Sequence, residues 1–455
     1  MTDKALEKVV SVPAVVLEKT LDTSRHIGDS ITGHRHVKKA SEYWQTLGPG
    51  LTTGAADDDP SGIATYSQTG AAYGFSFLWL ALFTFPLMAV IQEMCARIGL
   101  VTGRGLAGNI RIHFPKSILY ICSILLFIAN TFNLGVDLGA MAKATELLFP
   151  KVNFAFAIAM FTVIILLLQI FTSYEKYAKY LKFLVLVLLS YVVAAFSIHI
   201  DWKNVLQHTV IPSISFSKDQ IILVCGILGT TISPYLFFWQ TSQEVEEDIL
   251  KGKTTVRLRQ GANDKEVRDM RIDVWSGMFV SNIVMFFIIA TCAATLFVHG
   301  IRNISTAADA AAALRPIAGE NAYLLFALGI IGTGMLAVPV LSTSAAYAVS
   351  ESFRWRFGLF RKLKEASSFY GVIMISMMIG FAINFLGIDP IKALIYSAVV
   401  NGLIAPLILA LIVLIGSNRK IMGNRTNNPF TTALGWFVTI AMAITGVLTI
   451  IFFFI

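Results

Sequence analysis

Three carboxylates stand side by side at Asp57, Asp58 and Asp59, inside the apolar stretch 46–72 and directly before Pro60. Acids are costly inside a bilayer, so these side chains must face protein, water or an ion. Pro60 removes a helix hydrogen bond, and Gly62 tolerates non-helical dihedrals. Together they describe a helix that breaks at mid-membrane. Such a break is tolerated only where the freed backbone lines a cavity or is covered by protein. A short loop between two half-spanning segments is the plainer alternative.

A second interruption lies between Gly229 and Tyr235, where Pro234 cuts an apolar run and Thr230, Thr231 and Ser233 offer hydroxyls. Proline kinks are common in membrane helices, and alone this one says little. Interrupted segments at corresponding places in two halves of a transporter, however, point to its binding site. Carbonyls and a carboxylate at two facing breaks would form an oxygen cage for a cation.

The elements that must position these residues are membrane helices. The 455 residues are 56% hydrophobic and 14% charged, with mean hydropathy +0.69, whereas soluble domains carry roughly 25% charge. Stretches 154–171, 183–198 and 436–455 hold no charge at all. The apolar runs predict eleven spans, at 46–72, 74–99, 117–143, 153–173, 180–200, 219–242, 274–298, 321–351, 368–387, 390–415 and 430–455. Spans 1–5 (46–200) and 6–10 (219–415) read as a five-plus-five inverted repeat, with the two interruptions in corresponding spans 1 and 6.

Lys and Arg gather in alternate loops, as the positive-inside rule describes. The rich ones are the N-terminal tail and the 2–3, 4–5, 6–7, 8–9 and 10–11 loops, for example Arg104 and Arg111, Lys179 and Lys182, Arg257 and Arg259, Arg356 and Arg361, and Lys420 and Arg425. This places the N-terminus of a multi-pass protein in the cytoplasm, and the plasma membrane is the expected location. The same alternation answers the net charge of +8: no aromatic-interleaved basic stripe exists, so nucleic acid is not an expected partner. Residues 1–45 read as a disordered cytoplasmic tail without a signal peptide. The four cysteines lie far apart in apolar segments, without the spacing of a zinc site or a disulfide framework.

From about Leu47 to the C-terminus the chain resembles the natural resistance-associated macrophage protein family of divalent-metal transporters. Gly48-Pro-Gly50 opens span 1, and Asp59-Pro-Ser-Gly62-Ile-Ala-Thr65 sits where the family has Asp-Pro-Gly-Asn-Phe-Ala-Thr. Gln92-Glu-Met-Cys-Ala-Arg97 with the following Gly99–Gly103 resembles the end of its helix 2. Ser397-Ala-Val-Val-Asn401 with Pro406 resembles its helix 10. The resemblance implies an all-α LeuT-like fold with helices 1 and 6 unwound around the ion. It also implies metal contacts from Asp59, Gly62, Thr230 and Ser233, with Asp57, Asp58 and Asn401 nearby, and no cofactor beyond the transported ion.

The departures carry further expectations. The family's Asn falls on Gly62, its binding Met on Ser233, and two histidines linked to proton movement on Tyr235 and Gln240. The acid near Asp137 is replaced by Ala140, and the helix 10 Gln by Ala398. Thioether favours softer metals, whereas Mg²⁺ prefers oxygen and sheds water reluctantly. These changes match a magnesium-transporting branch of the family. They predict Mg²⁺ and Mn²⁺ as substrates with weak or no proton coupling; a proton-coupled Mn²⁺/Fe²⁺ transporter is the alternative.

Other signals read as structural. Gly103-Arg-Gly-Leu-Ala-Gly108 fits GxGxxG but follows a membrane helix rather than a strand. Asn130 and Asn133 read as interhelical hydrogen bonders, and Glu244, Glu246 and Glu247 as solvated groups with a lesser claim to line an exit path. Two rivals remain. A membrane prenyltransferase would bind Mg²⁺-diphosphate through Asp57–Asp59 and Asp269 with Asp273. An organic-solute transporter of the same architecture would not need three carboxylates in its broken helix.

Overall fold

The computed structural model describes residues 42–454 apart from 214–216, 305–306 and 388–389. The tail expected over 1–45 therefore lies almost wholly outside the described residues. Among those residues every element of regular structure is a helix. Its first half runs α1 (Pro49–Asp57), α2 (Pro60–Tyr73), α3 (Leu78–Thr102), α4 (Leu106–His113), α5 (Lys116–Leu148), α6 (Phe154–Phe171), α7 (Tyr174–Leu184), α8 (Leu189–Phe196) and α9 (Trp202–Val210). The second half runs α10 (Lys218–Thr231), α11 (Pro234–Leu250), α12 (Val256–Arg259), α13 (Asp264–Cys292), α14 (Ala307–Phe353), α15 (Ser367–Ile383), α16 (Pro390–Gly416), α17 (Arg419–Met422) and α18 (Pro429–Phe454).

Among the described residues eight helical stretches are long and apolar enough to cross a membrane, three of them (60–102, 174–196 and 218–250) joining two of these helices, and nine if 400–416 and the bent 419–425 form one span. The eleven expected crossings are not each met by one such helix. Span 1 is divided between α1 and α2, and α15 has only 17 residues. Other boundaries differ because helices continue beyond the apolar region. Span 7, expected from 274, begins at Asp264 behind a capping box made by Asn263 and Glu266. Span 6 continues to Leu250. Span 5 begins at Tyr174 and passes through a 3₁₀ turn at Val185–Leu188.

Close backbone approach holds α1 in place. A β-carbon on Gly54 would strike the Gly277 carbonyl of α13, and one on Gly277 would strike that of Gly50. Small residues allow this kind of packing where lipid gives no hydrophobic drive between helices. The start of α1 is also pinned from two sides. The Asp273 carboxylate of α13 accepts the backbone N–H groups of Gly48, Gly50 and Leu51 at 2.7, 2.6 and 3.0 Å. Lys182 of α7 donates to the carbonyls of Trp44 and Leu47. Asp273 is thus a clamp on a helix N-terminus, which removes the second metal motif of the prenyltransferase reading.

The charge-rich loops meet at one end of the bundle. Gly261 bonds Val101 at 2.8 Å, Arg259 bonds Gly103 at 3.2 Å, and Arg425 pairs with Asp264 at 2.6 Å. The poorer loops meet at the other end, where Ser213 bonds Ser76 at 3.0 Å and Gln68 bonds both Arg302 and Ile304.

Candidate metal-ion site

Both interruptions are breaks within helices. After α1 the chain turns at Asp58 (φ −83°, ψ 51°) and extends at Asp59 (φ −67°, ψ 165°), and Pro60 then opens α2 at its first position. Proline suits that position because the missing N–H is one the helix leaves unbonded anyway. The Asp59 carboxylate caps α2: Oδ1 accepts the Gly62 N–H at 2.6 Å and the Ser61 hydroxyl at 2.7 Å. Gly62 is therefore helical, in the first turn of α2, and does not supply the non-helical dihedrals expected of it. The cap, rather than glycine freedom, makes the break.

The second break repeats this plan. α10 ends at Ile232 (φ −112°, ψ 58°), Ser233 is extended (φ −83°, ψ 133°), and Pro234 opens α11. Ser233 does not cap α11. Its hydroxyl turns back to the carbonyls of Gly229 and Thr230 at 2.8 and 2.6 Å. The hydroxyls of Thr230 and Thr231 both donate to Ile227, at 3.0 and 2.7 Å.

The three aspartates are buried but do not converge, and among the described residues no three His, Cys, Asp or Glu side chains form a metal-holding group. Asp57 points to α13, where its Oδ2 accepts the Ser281 hydroxyl at 2.8 Å and its Oδ1 has no partner. Asp58 has no partner on either oxygen among the described residues. Asp59 reaches α5 through Oδ2, which accepts from Asn133 at 2.8 Å. No ion pair compensates any of them among the described residues. A cation held here would take carboxylate oxygen from the first break and complete its shell with backbone carbonyls and water.

Tyr235, in the first turn of α11, joins the two breaks by donating to the Ala56 carbonyl at 2.7 Å. Asn133 accepts from Ser397 of α16 at 2.6 Å, so α16 reaches Asp59 through that pair. Asn401 is buried on α16, and among the described residues its side-chain oxygen has no partner and no bond ties it to the breaks. The Ala398 side chain lies outside the described residues. Asn130 bonds the Leu341 carbonyl of α14 at 3.1 Å, so both asparagines are interhelical bonders as expected. Ser281 is a residue the sequence reading missed; a lone serine in an apolar run carries no signal.

The α11 glutamates correct an expectation. Glu246 is buried, accepting from the Tyr347 hydroxyl and from the backbone of Leu359 and Phe360 at 2.8 and 3.2 Å. Glu244 is buried and bonded to Gln240 at 2.9 Å. Gln243, Glu244 and Glu247 line a cavity of about 510 Å³ that opens at the charge-rich end and reaches inward to Thr52 and Trp239. The GxGxxG segment carries no nucleotide loop: the Glu351 carboxylate occupies the N–H groups of Gly105 and Gly108 at 3.0 and 2.9 Å.

Comparison with known proteins bears on what such an arrangement serves. A family model described as natural resistance-associated macrophage protein-like matches residues 50–452. The divalent metal cation transporter MntH of Klebsiella pneumoniae subsp. pneumoniae is 26% identical over 429 residues, covering 94% of this chain and 97% of that protein. Its counterpart in Erwinia tasmaniensis is 26% identical over 434 residues, covering 94% and 98%. Among solved structures, a manganese transporter of Eremococcus coleocola superposes with a TM-score of 0.70 at 20% identity, over 92% of this chain and 88% of that one. Mhp1, a nucleobase-cation-symport-1 family transporter, superposes at 0.56 and 16% identity, over 89% and 91%. These likenesses show the expected LeuT-like fold.

Proposed function

We propose that this chain, which belongs to the natural resistance-associated macrophage protein-like family and transports divalent metal cations, carries Mg²⁺, with Mn²⁺ as a competing substrate and weak or no proton coupling. It is a transporter and not an enzyme, and the ion is its cargo. The observation that carries the selectivity is the oxygen chemistry of the two breaks. Asp58 has two unpartnered carboxylate oxygens, and Ser233 offers a hydroxyl where the family resemblance implies a thioether. Hard oxygen ligands suit Mg²⁺ and Mn²⁺ and give softer metals no advantage.

In this reading Asp59 anchors the ion, Asp58 adds an oxygen to it, Asp57 draws it in, and the positions of Gly62, Thr230, Ser233 and Asn401 shape the space around it. The matching breaks support reading 46–200 and 219–415 as inverted repeats. The positive-inside rule assigns the charge-rich end to the cytoplasm. The cavity beside Glu244 and Glu247 is then the ion's route between that side and the breaks. Tyr235 and Gln240, standing where the family's histidines fall, support weak coupling. Mn²⁺ as the preferred ion, with protons relayed by Asp137, is the second reading; the manganese transporter among the structural neighbours favours it.

Flux into proteoliposomes tests both readings. Mg²⁺ and Mn²⁺ are expected to enter and to compete, and Ca²⁺, which takes more ligands, to enter poorly. The lumen should not acidify in step with uptake at fixed membrane potential. Mn²⁺ uptake without Mg²⁺ uptake would overturn the selectivity, and tracking acidification would overturn the uncoupling.

A further inference from the structure

α11 separates two cavities of opposite character. Gln243, Glu244 and Glu247 face the one described above. On the opposite face, Ser242, Val245, Glu246 and Ile249 line a second cavity of about 300 Å³. The spacing follows from the helix: residues three and four apart share a face. The other walls of this second cavity come from α4, α12 and the end of α14 with its following loop. They contribute five guanidinium groups, from Arg104, Arg111, Arg259, Arg356 and Arg361, against the carboxylates of Glu246 and Glu351.

Both carboxylates are held by neutral donors, act on Arg104, Arg111 and Arg259 only at a distance, and are outnumbered by the five arginines. Glu246 is taken up by the Tyr347 hydroxyl and the Leu359 and Phe360 N–H groups, and Glu351 by the Gly105 and Gly108 N–H groups. None of the five arginines is in an ion pair among the described residues. Arg259 is buried and held rigidly by three carbonyls, those of Gly103, Lys253 and Thr254, at 3.2, 3.0 and 3.0 Å. The three carbonyls fix the guanidinium without neutralising it, and the carboxylates that act on it, Asp248 and Glu246, do so from beyond ion-pair distance. Arg111 likewise donates to the Glu351 carbonyl rather than to a carboxylate.

We propose that this cavity binds a phosphate-bearing anion. Guanidinium forks match phosphate oxygens in pairs, and a concave group of them recognises phosphate where scattered lysines would not. The volume is at the small end of ligand pockets, about 300 Å³, enough for a phosphate with a short polar substituent. Two sources offer that chemistry at this end of the bundle: the headgroup of an anionic phospholipid and a soluble phosphate ester. Bound there, the anion braces α11 against α4 and α14. Its occupancy therefore bears on the helix whose first turn meets the ion-binding break.

The test uses the full chain in nanodiscs of neutral phosphatidylcholine, titrated calorimetrically with inorganic phosphate and with ATP. A second arm compares retention of phosphatidylglycerol from mixed-lipid nanodiscs by native mass spectrometry. The variants are Arg104→Gln with Arg361→Gln, and Arg356→Gln, all at positions that leave the buried Arg259 in place. As a control, Lys179→Gln with Lys265→Gln removes equal charge from the first cavity. Saturable binding in at least one arm is expected, weakened at least about tenfold in the double arginine variant and unchanged in the lysine control. Binding in the titration arm alone identifies a soluble ester, and binding in the lipid arm alone a headgroup. No binding in either arm, or equal loss in the lysine control at matched thermal stability, overturns the proposal.

Discussion

At Asp58–Asp59 the chain leaves one helix and enters the next with ψ of 51° and then 165°; at Ile232–Ser233 it does so with 58° and then 133°. A proline follows each pair at the first position of the new helix. Two breaks with one backbone plan carry opposite chemistry. The first gathers three carboxylates, one spent on capping, one half-bonded and one unpartnered. The second satisfies its hydroxyls within its own last turn. Negative charge and open oxygens belong to the first break, while the second sets the shape of the space and the nature of its nearest side chain. Changes at the first break should alter whether ions are carried, and changes at the second should alter which.

The largest effect is expected from Asp59→Ala, which should abolish saturable uptake of both Mg²⁺ and Mn²⁺. Loss of the cap alone costs about 1 kcal/mol, too little to explain abolition by unfolding. Asp59→Asn separates the two roles, because asparagine caps helices as well as aspartate does. Uptake should fail in both variants while melting temperature drops only in the alanine one. Undiminished uptake by either well-expressed variant would remove Asp59 from the anchor position.

Asp58→Asn comes next, and it should move stability and transport in opposite directions. A buried carboxylate without partners is a burden on the ion-free fold. The amide should therefore raise the melting temperature measured in chelator. Transport should survive with a KM higher by about tenfold, one charge-assisted contact having been lost. Asp57→Asn should do less on both counts, since Ser281 already bonds that carboxylate. A fall in melting temperature for Asp58→Asn would show that its oxygens are bonded in the ion-free state.

Ser233→Met tests the second break. It should leave total divalent uptake within about threefold and shift competition toward Mn²⁺ or Cd²⁺ at the expense of Mg²⁺. Adding Gly62→Asn should increase the shift. A wild type that already excludes Mg²⁺ would make Ser233 an unusual residue in a transition-metal site.

How much of this was legible in the sequence follows from the kind of signal each feature leaves. Both breaks fall inside the stretches that the sequence marks, 54–62 and 229–235, because acids and prolines are conspicuous against an apolar run. The gathering of the rich loops at one end was legible for the same reason. Gly62 was misread: its freedom to bend is a property of the residue, whereas its helical state is set by the Asp59 cap. Glu244 and Glu246 were misread as solvated because the groups that bury Glu246, Tyr347 and the Leu359 backbone, come from more than 100 positions away. Asn133 was rightly read as an interhelical donor, yet nothing local says that its acceptor is Asp59. The helix extensions at 174 and 264 escaped because their charges hide them from hydropathy. Helix periodicity continues there after the apolar signal has stopped.

The smallest expected effect, from Tyr235→Phe, bears most directly on the division between the breaks. The Tyr235 hydroxyl donates to the Ala56 carbonyl at 2.7 Å and stands 3.5 Å from Asp59 Oδ2, too far for a second good bond. It therefore ties α11 to the first break through one carbonyl without neutralising a carboxylate. Interhelical side-chain bonds of this kind average about 0.6 kcal/mol in membrane proteins, so the melting temperature should fall only slightly. A proton donor on a carbonyl also competes with a cation for the same oxygen. Removing it should leave KM for Mg²⁺ unchanged or lower it by about twofold, a fraction of a kcal/mol. A KM that rises about tenfold would mean that the tyrosine oxygen itself meets the ion. The second break would then contribute a ligand as well as a shape, and the contrast between the two would have to be redrawn.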